Sequence, residues 1–289
     1  MPELPEVEVV KRSLINKIQN SIVKAVKIND GRLRYRVDKN KIKKIIGLRI
    51  KKISRRSKFL LFFFDDNTVM LVHLGMTGKF FFINQKNTKY KTSFYYDINE
   101  DKDKKHDRVI FNLSGNQKLI YNDIRKFGFI KLVQKLNLDQ NLHLKNLGPE
   151  PLEKKFNSSY FKQYIINKNR SIKDLLMDQK FISGLGNIYV NEILFFSGIK
   201  PLKKVKNLSE SEIRKIIKFT KKILRKAIAL GGSSIKNFSS DNGKKGLFQQ
   251  HFRVYGKKGD KCSKKSCGSN IIKIVISNRA TFYCDKCQK

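Results

Sequence analysis

The chain has 289 residues, enough for two domains that each bury a core of their own. Lysine and arginine number 63 against 24 acidic residues, and the formal charge of +39 favours a polyanionic partner. An AT-rich coding sequence would also place many lysines on solvated faces, so charge leaves that partner open. The longest apolar run, residues 59–64, is too short to span a membrane, and no signal-like stretch opens the chain. We therefore expect a cytoplasmic protein with no membrane partner.

The first predicted element is an amphipathic helix over residues 6–18, where Val7, Val10 and Leu14 recur at helical spacing. From about residue 22 to 133, short apolar runs separated by turn residues predict strands and favour a β-sandwich or barrel. The predicted strands are residues 22–28, 59–64, 68–73, 80–83, 109–113, 119–121 and 129–133. The polar residues 84–107 between them predict a long exposed loop.

Residues 134–151, ending in Leu-Gly-Pro-Glu-Pro, predict an interdomain hinge, and beyond it the apolar period becomes helical. The predicted helices are residues 158–166, 172–179, 188–196 and 209–230, the last opening on a Ser209–Glu212 capping box. The Gly/Ser-rich residues 231–246 predict a loop. This pattern predicts an α+β chain of four parts: a β-sandwich domain with its leading helix (1–133), the hinge (134–151), a helical domain (152–251) and a cysteine-bearing finger (252–289).

All four cysteines lie at the C-terminal end, as two closely spaced pairs with sixteen residues between them. Two such pairs can surround one Zn²⁺ tetrahedrally, and the residues between them can form a β-hairpin. A site with four thiolate ligands has no open position, so one structural Zn²⁺ without a catalytic role is predicted. The alternative is four unpaired thiols. The predicted ligands are Cys262, Cys267, Cys284 and Cys287.

The N-terminus combines an amine with nearby carboxylates. Met1 precedes Pro2, a small residue after which the initiator methionine is normally removed, so the mature chain would begin with a secondary amine. An α-amine titrates near ~8 and can form an iminium with a carbonyl carbon. Glu3 and Glu6 stand where a general acid and a second carboxylate would be needed. The alternative is an ordinary helix start, where acidic residues complement the helix dipole.

Five motifs that span nearly the whole chain, in the same order, resemble those of the formamidopyrimidine-DNA glycosylase family. They are PELPEVE (2–8), HLGMTG (73–78), DIRKFG (123–128), GLGNIY (184–189) and RATFYCDKCQ (279–288). The resemblance implies an N-terminal β-sandwich, a helix–two-turn–helix DNA-binding domain and a zinc finger. It also implies a monomer that removes oxidised purines from duplex DNA and then cleaves the strand by β,δ-elimination. The first cysteine pair departs from many members, with four intervening residues instead of two.

The resemblance also implies roles for particular residues. Pro2 matches the nucleophile that attacks C1′ of the damaged nucleotide, Glu3 the acid that protonates the sugar ring oxygen, and Glu6 a supporting carboxylate. Lys58 and Arg279 match catalytic-site residues that hold the DNA backbone beside the lesion.

A second set of residues matches DNA contacts of the family. Asn187 matches a residue that grips the backbone, and His73 belongs to the second motif. Met76, Arg125 and Phe127 match the wedge that fills the gap left by the flipped base, and residues 231–246 match a segment that closes over that base. Without the resemblance, Met76 and Phe127 would be interpreted as core residues, Asn187 as a helix cap and Arg279 as a solvated side chain.

Three other functions remain as alternatives. Endonuclease VIII shares the proline chemistry but prefers oxidised pyrimidines; its lead usually reads Pro-Glu-Gly-Pro-Glu and it lacks the Arg-x-Phe wedge. Leu4, Arg125 and Phe127 therefore favour the purine enzyme. A catalytically inactive DNA-binding zinc protein would not need Pro2 and Glu3. A basic RNA-associated protein would explain the charge but not the N-terminal motif.

Overall fold

The computed structural model describes residues 1–85, 88–91, 104–233 and 247–289. These residues form two compact units. The first is Met1–Lys145 together with residues 230–233 and Leu247, and the second is Asn146–Ala229 together with Phe248–Lys289. None of the helices in these described ranges is long and apolar enough to cross a membrane.

The first unit holds two helices and nine strands in its described residues. The helices are α1 (Leu4–Ile18) and α2 (Lys39–Lys43). The strands are β1 (Val23–Ile28), β2 (Ile50–Arg56), β3 (Phe59–Phe64), β4 (Thr68–His73), β5 (Lys79–Ile83), β6 (Lys89–Lys91), β7 (Asp107–Leu113), β8 (Gln117–Asn122) and β9 (Phe129–Gln134).

The strands form two antiparallel sheets that enclose one core. One sheet has the order β1-β7-β8-β5-β6 and the other β2-β3-β4-β9. Phe62 and Met70 of the second sheet join Phe80 and Phe111 of the first in a single buried cluster. Sheets that share their inner faces in this way make a β-sandwich, as the sequence predicts.

Helix α1 closes one side of this core with a single apolar stripe. Val7, Val10, Leu14 and Ile18 recur every three or four residues, so they lie on the same face, and all four are buried in the sandwich cluster. The packing fixes the direction of the helix, and with it the place where the chain begins.

The second unit is helical in its described part, with α3 (Ser158–Ile165), α4 (Ile172–Met177), α5 (Asn187–Ser197) and α6 (Glu210–Ala229). Helix α5 is buried along almost its whole length. The predicted capping box is present, because Ser209 N–H donates to Glu212 (2.9 Å) and Glu212 N–H donates to Ser209 Oγ (3.2 Å). Of the short 3₁₀ helices in the described residues, Val205–Asn207 and Phe248–His251 belong to this unit, and Lys104–His106 and Lys135–Asn137 belong to the first.

The predicted C-terminal hairpin is present, with β10 (Ile272–Ile276) paired antiparallel with β11 (Arg279–Tyr283). Ser277 and Asn278 join the strands with positive φ at both residues (47° and 58°), the pattern of a type I′ turn. Arg279 therefore stands directly after the turn.

Two predictions about the sandwich need correction. Strand β2 was not predicted, because IKKISRR has only two apolar residues, Ile50 and Ile53, and a register shift after Ile50 puts them out of alternation. The predicted loop 84–107 contains strand β6, which pairs with β5 as an edge strand, and the beginning of β7. The rest of that segment, residues 86–87 and 92–103, lies outside the described residues, as does most of the predicted loop 231–246.

Candidate active site and metal centre

The start of α1 brings two carboxylates together. Glu3 precedes the first helical residue, and its backbone N–H donates to Glu6 Oε2 at 2.9 Å. Both carboxylates are buried, at 3% exposure each, and Pro2 beside them is buried too. Only Met1 is exposed, so removal of that residue would leave the Pro2 amine at the edge of a protected site.

Charged groups from its own helix and from two other segments act on this end of the chain. Burial lowers the pKa of the Met1 amino group, while Glu3 and Glu6 oppose that shift. Lys58 and Arg125 lower the same pKa further through their positive charge. The structure therefore brings the predicted nucleophile position, its two carboxylates, Lys58 and Arg125 into one electrostatic environment within the first unit.

Glu6 also ties the N-terminus to a segment more than 220 residues away. Its Oε1 accepts hydrogen bonds from Ser233 N–H (2.9 Å) and Ser233 Oγ (3.0 Å). Gly232 has φ +81°, and a Cβ there would lie 3.1 Å from the same oxygen. Residues 231–233 are therefore held on the carboxylate that supports the candidate site.

Lys58 is positioned by an ion pair between Arg55 and Glu8, which no sequence pattern indicates. It follows Ser57, whose φ of +55° puts a tight turn between β2 and β3. Arg55 donates to the Ser57 carbonyl (2.8 Å) and, through Nε, to Glu8 Oε2 of α1 (3.0 Å). Glu8 thus connects the helix to the turn that carries Lys58, which is 7% exposed.

The motif at 73–78 and the motif at 123–128 form two turns in direct contact. Gly75 has φ +62°, and a Cβ there would overlap the backbone of Phe127 and Gly128. The buried Asp123 carboxylate joins the turns, accepting from Thr77 Oγ1 (2.5 Å) and Gly128 N–H (2.9 Å). We call residues 123–128 the Arg125 turn. Glycine at 75 is required because two backbones meet there.

Two of the three predicted wedge residues, Arg125 and Phe127, are exposed on these turns. Phe127 is 44% exposed, unusual for a large aromatic side chain, and the Arg125 guanidinium lies 4.6 Å from its ring centre. Met76, on the neighbouring turn, is half-buried. The interpretation of Phe127 as a core residue is therefore wrong, since its ring lies at the surface.

His73 ends β4 in a ring cluster. Its ring lies 5.0 Å from Phe59 and 5.7 Å from Phe129, and its Nδ1 accepts from Gly75 N–H at 3.1 Å. Burial, followed by the positive charges of Lys58 and Arg34, lowers the pKa of His73 to about 4. The imidazole is therefore neutral near neutral pH and has Nε2–H as its donor.

In the second unit, Asn187 and Arg279 lie close together. Asn187 is the first residue of α5, and its side-chain amide donates to the carbonyl of Ala280, the next residue after Arg279 (2.8 Å). The buried Lys173 of α4 donates to the same carbonyl (3.2 Å) and to Thr281 Oγ1 (2.5 Å). Burial lowers the pKa of Lys173 to about 8, and the charge of Arg279 contributes to that shift. Two helices therefore hold the strand that begins with Arg279.

The four cysteines converge at the base of the hairpin. Their ligand atoms all lie within 4.8 Å of one another, with Cys262–Cys287 sulfurs 3.8 Å apart and Cys267–Cys284 sulfurs 3.4 Å apart. A tetrahedral site with Zn–S bonds of ~2.3 Å separates its sulfurs by roughly 3.8 Å, so the thiols fit a metal ion. The wider spacing of the first pair does not prevent this geometry.

The predicted residues thus fall into two groups. Pro2, Glu3, Glu6, Lys58, His73, Met76, Arg125 and Phe127 lie in the first unit, and Asn187, Arg279 and the four cysteines in the second. Sequence reasoning missed Glu8, Arg55 and Lys173, which act through other residues. The one sequence signal for Glu8 is its place in the PELPEVE motif.

A helix-led β-sandwich and a helical unit ending in a four-cysteine hairpin define the class of helix–two-turn–helix DNA glycosylases. Two family models match: the formamidopyrimidine-DNA glycosylase N-terminal domain over residues 1–130 and its H2TH domain over residues 147–239. The formamidopyrimidine-DNA glycosylases of Rickettsia bellii and Roseobacter denitrificans are 41% and 35% identical to this chain, with both chains covered completely. This chain belongs to the formamidopyrimidine-DNA glycosylase family.

Solved structures of the Lactococcus lactis enzyme have the same fold. A mutant bound to DNA containing Fapy-dG superposes with a TM-score of 0.85 at 34% identity over 100% of both chains. A complex with DNA containing an abasic site gives a TM-score of 0.84 at 34% identity over 99% of both chains.

Proposed function

We propose that this chain excises oxidised purines, formamidopyrimidines and 8-oxoguanine opposite cytosine, through an iminium formed on Pro2. As a formamidopyrimidine-DNA glycosylase, the chain is a base-excision repair enzyme with glycosylase and AP lyase activities. Because the Lactococcus lactis enzyme is found with Fapy-dG and abasic-site DNA, we propose that this chain binds both the damaged and the base-free duplex.

The observation that carries the proposal is the buried carboxylate pair at the start of the chain. After loss of Met1, the Pro2 nitrogen lone pair attacks C1′ and the bond from C1′ to the base breaks. The bonding electrons leave on the base, which takes up the proton that the Pro2 nitrogen loses. Glu3 gives its proton to the sugar ring oxygen as the ring opens, and the C1′–N bond becomes an iminium. Glu6 holds the Glu3 backbone N–H and orients the acid.

The environment of the N-terminus favours a neutral amine. Burial lowers the pKa of the amino group at Met1, and Lys58 adds to that effect. The Pro2 amine would meet the same causes one residue further in, where the chain is buried. An ordinary α-amine titrates near ~8, so a lowered pKa increases the unprotonated fraction of the nucleophile at neutral pH.

The iminium then acidifies the hydrogens at C2′. Loss of one such proton expels the 3′ phosphate, and a second elimination expels the 5′ phosphate, leaving a one-nucleoside gap. Lys58, Arg279, Asn187 and His73 are the proposed contacts to the DNA backbone during these steps. Lys58 and Arg279 supply charge, and the neutral His73 supplies an N–H donor.

Met76, Arg125 and Phe127 are proposed to enter the duplex when the damaged nucleotide is flipped out. Flipping forfeits stacking and pairing worth about a few kcal/mol, which an inserted ring and guanidinium partly replace. The exposure of Phe127 supports this role, because the ring is available without unfolding its turn.

The four cysteines are proposed to bind one structural Zn²⁺. The metal would supply no reaction chemistry, because four thiolates leave no site for substrate. It would hold the hairpin that bears Arg279.

Borohydride trapping on duplex DNA carrying 8-oxoguanine opposite cytosine tests the proposal. The reductant converts an iminium to a stable amine, so the expected result is a covalent adduct whose peptide map places the sugar on Pro2. Mapping to a lysine, or product that retains an intact abasic site, would contradict the mechanism. Undamaged duplex of the same sequence is the control and should give no adduct.

A further inference from the structure

The middle of the Arg125 turn has a conformation that needs support. Lys126 has φ +59°, the left-handed region that side chains with a Cβ rarely adopt. Its neighbours on either side are Arg125 and Phe127, whose guanidinium and ring lie 4.6 Å apart. The geometry of this one residue therefore determines how both exposed side chains are presented.

The two ends of the turn are anchored from inside the protein. The Asp123 carboxylate accepts from Gly128 N–H, and Arg125 N–H donates to Thr77 Oγ1 at 2.9 Å. These bonds are made by backbone or buried groups and leave the side chain of Lys126 uninvolved.

The middle of the turn is held from outside by a carboxylate in another segment. Lys126 Nζ lies 2.8 Å from Asp30 Oδ2, and Arg108 Nη1 lies 3.1 Å from the same oxygen. The Asp30 side chain is 16% exposed and that of Arg108 only 6%, so the group is partly shielded from solvent. Arg32 donates to the other oxygen through its N–H (3.0 Å) and Nε (2.9 Å).

Arg108 joins this outer anchor to the inner one. Its Nε donates to the Asp123 carbonyl at 2.8 Å, while its Nη1 meets Asp30. Hydrogen bonds from Arg32 and then Lys126 hold the pKa of the Asp30 carboxyl well below its usual range, so it is ionised at neutral pH. Without the Asp30 charge, the positive charges of Arg108 and Lys126 would repel each other, because both side chains contact the same carboxylate oxygen.

We propose that Asp30 is a positioning residue for opposite-base selection, which it serves by holding Lys126 so that Arg125 is presented to the orphan base. The proposal rests on the proposed function of Arg125. Asp30 touches no reacting atom, and its effect passes through Lys126 and Arg108.

Loss of Asp30 has a signature that general destabilisation lacks. The turn would gain access to right-handed conformations and misdirect Arg125, so preference for cytosine falls. Lys126, released from its partner, would become an additional free cation for phosphate, so affinity for undamaged duplex is maintained or rises. Pro2 chemistry on a preformed abasic site needs no base choice and continues.

The experiment compares Asp30→Asn with Asp38→Asn in the full-length protein. Asp38 is an exposed carboxylate of the same loop, and it caps α2 through the N–H groups of Asn40 and Lys41. Single-turnover excision is measured with 8-oxoguanine opposite cytosine and opposite adenine, alongside cleavage of abasic DNA. For Asp30→Asn the cytosine-to-adenine ratio should fall about five- to thirtyfold, the scale of one left-handed residue, with abasic cleavage within about twofold of wild type. Asp38→Asn should keep the ratio.

A second variant keeps the test decisive. Lys126→Asn removes the ammonium, but asparagine tolerates the left-handed conformation, so this variant should retain most of the cytosine-to-adenine ratio. In the double variant, Asp30→Asn should then cause no further loss of that ratio. An unchanged ratio in Asp30→Asn, an equal loss in Asp38→Asn, or a parallel loss of abasic cleavage would overturn the proposal. If Arg125→Ala, run in parallel, leaves the wild-type ratio unchanged, the proposed role of Arg125 fails as well, and the two failures are distinguishable.

Discussion

The two arginines proposed to reach DNA stand on turns that are held in different ways. Arg125 lies on an irregular turn anchored by Asp123 within and Asp30 outside, both through ordinary hydrogen bonds and ion pairs. Arg279 follows the tight turn of a two-stranded hairpin whose base is the four-cysteine cluster. A two-stranded ribbon has too little core to be stable by itself, whereas a turn on a nine-stranded sandwich inherits the stability of the sheets.

We therefore expect the Arg279 turn to depend on the proposed metal ion and the Arg125 turn to be independent of it. The free energy of metal binding to a small site contributes directly to the folding of that site. Removal of the metal should therefore affect the position of Arg279 and leave that of Arg125 unchanged. The following predictions test this contrast.

The largest effect is expected from Glu3→Gln, which keeps the size of the side chain and removes the acid. We expect excision to fall by about 10²–10⁴-fold, the usual contribution of a positioned general acid. Metal content and affinity for abasic-analogue DNA should be unchanged, because Glu3 belongs to the first unit. Single-turnover rates together with metal analysis check this, and near-normal excision would remove Glu3 from the mechanism.

The next effect concerns the metal. Removal of Zn²⁺ by a chelator, or Cys284→Ser, should unfold the hairpin and weaken DNA binding by ~10-fold or more, the scale of one charge-assisted contact. Amide hydrogen exchange should rise in residues 260–289 and stay low in strands β3, β4 and β8. Normal DNA binding by Cys284→Ser, or active protein without zinc, would contradict the prediction.

A smaller and more selective effect is expected from Arg125→Ala. Cytosine offers O2 and N3 acceptors to a guanidinium, while adenine offers an amino donor and one acceptor, a mismatch worth ~1–3 kcal/mol. The preference for 8-oxoguanine opposite cytosine should therefore fall roughly 10- to 100-fold. Arg36→Ala, an exposed arginine that changes the net charge equally, is the control and should keep the preference.

The smallest effect is on stability. The pKa of His73 in the folded state is about 4, below its ordinary value of 6.5, so the unfolded state binds more protons between these values. The neutral His73 imidazole makes its full contribution to the stability of the fold above pH ~6.5. As the pH falls towards ~4, the free energy of unfolding decreases by ~1.4 kcal/mol per pH unit, up to about 3 kcal/mol. The free energy of unfolding, measured with denaturant, should depend on pH differently in wild type and in His73→Asn only in this window. The asparagine retains an acceptor for Gly75 N–H. Parallel pH profiles would show that His73 does not titrate as described.

Elements with local signals could be predicted from the sequence. Helix α1 follows from its 3.6-residue apolar period, and strands such as β3 and β4 follow from short continuous apolar runs bounded by turn residues. The cysteine pairs predicted one cluster for a similar reason, since short loops confine each pair. The motif residues Pro2, Glu3 and Lys58 were identified through resemblance, and the structure brings their charges together at the N-terminus.

How those residues are held depends on contacts between distant segments. Glu8 meets Arg55, which is 47 positions further along the chain, Glu6 meets Ser233 at a separation of 227, and Asp30 meets Arg108 at a separation of 78. A carboxylate in a sequence gives no indication of which distant cation it will meet, because that choice depends on how the sheets pack. Phe127 is apolar like a core residue, yet its ring is exposed on a turn whose backbone packs against Gly75, and only the contact between the two turns decides that position.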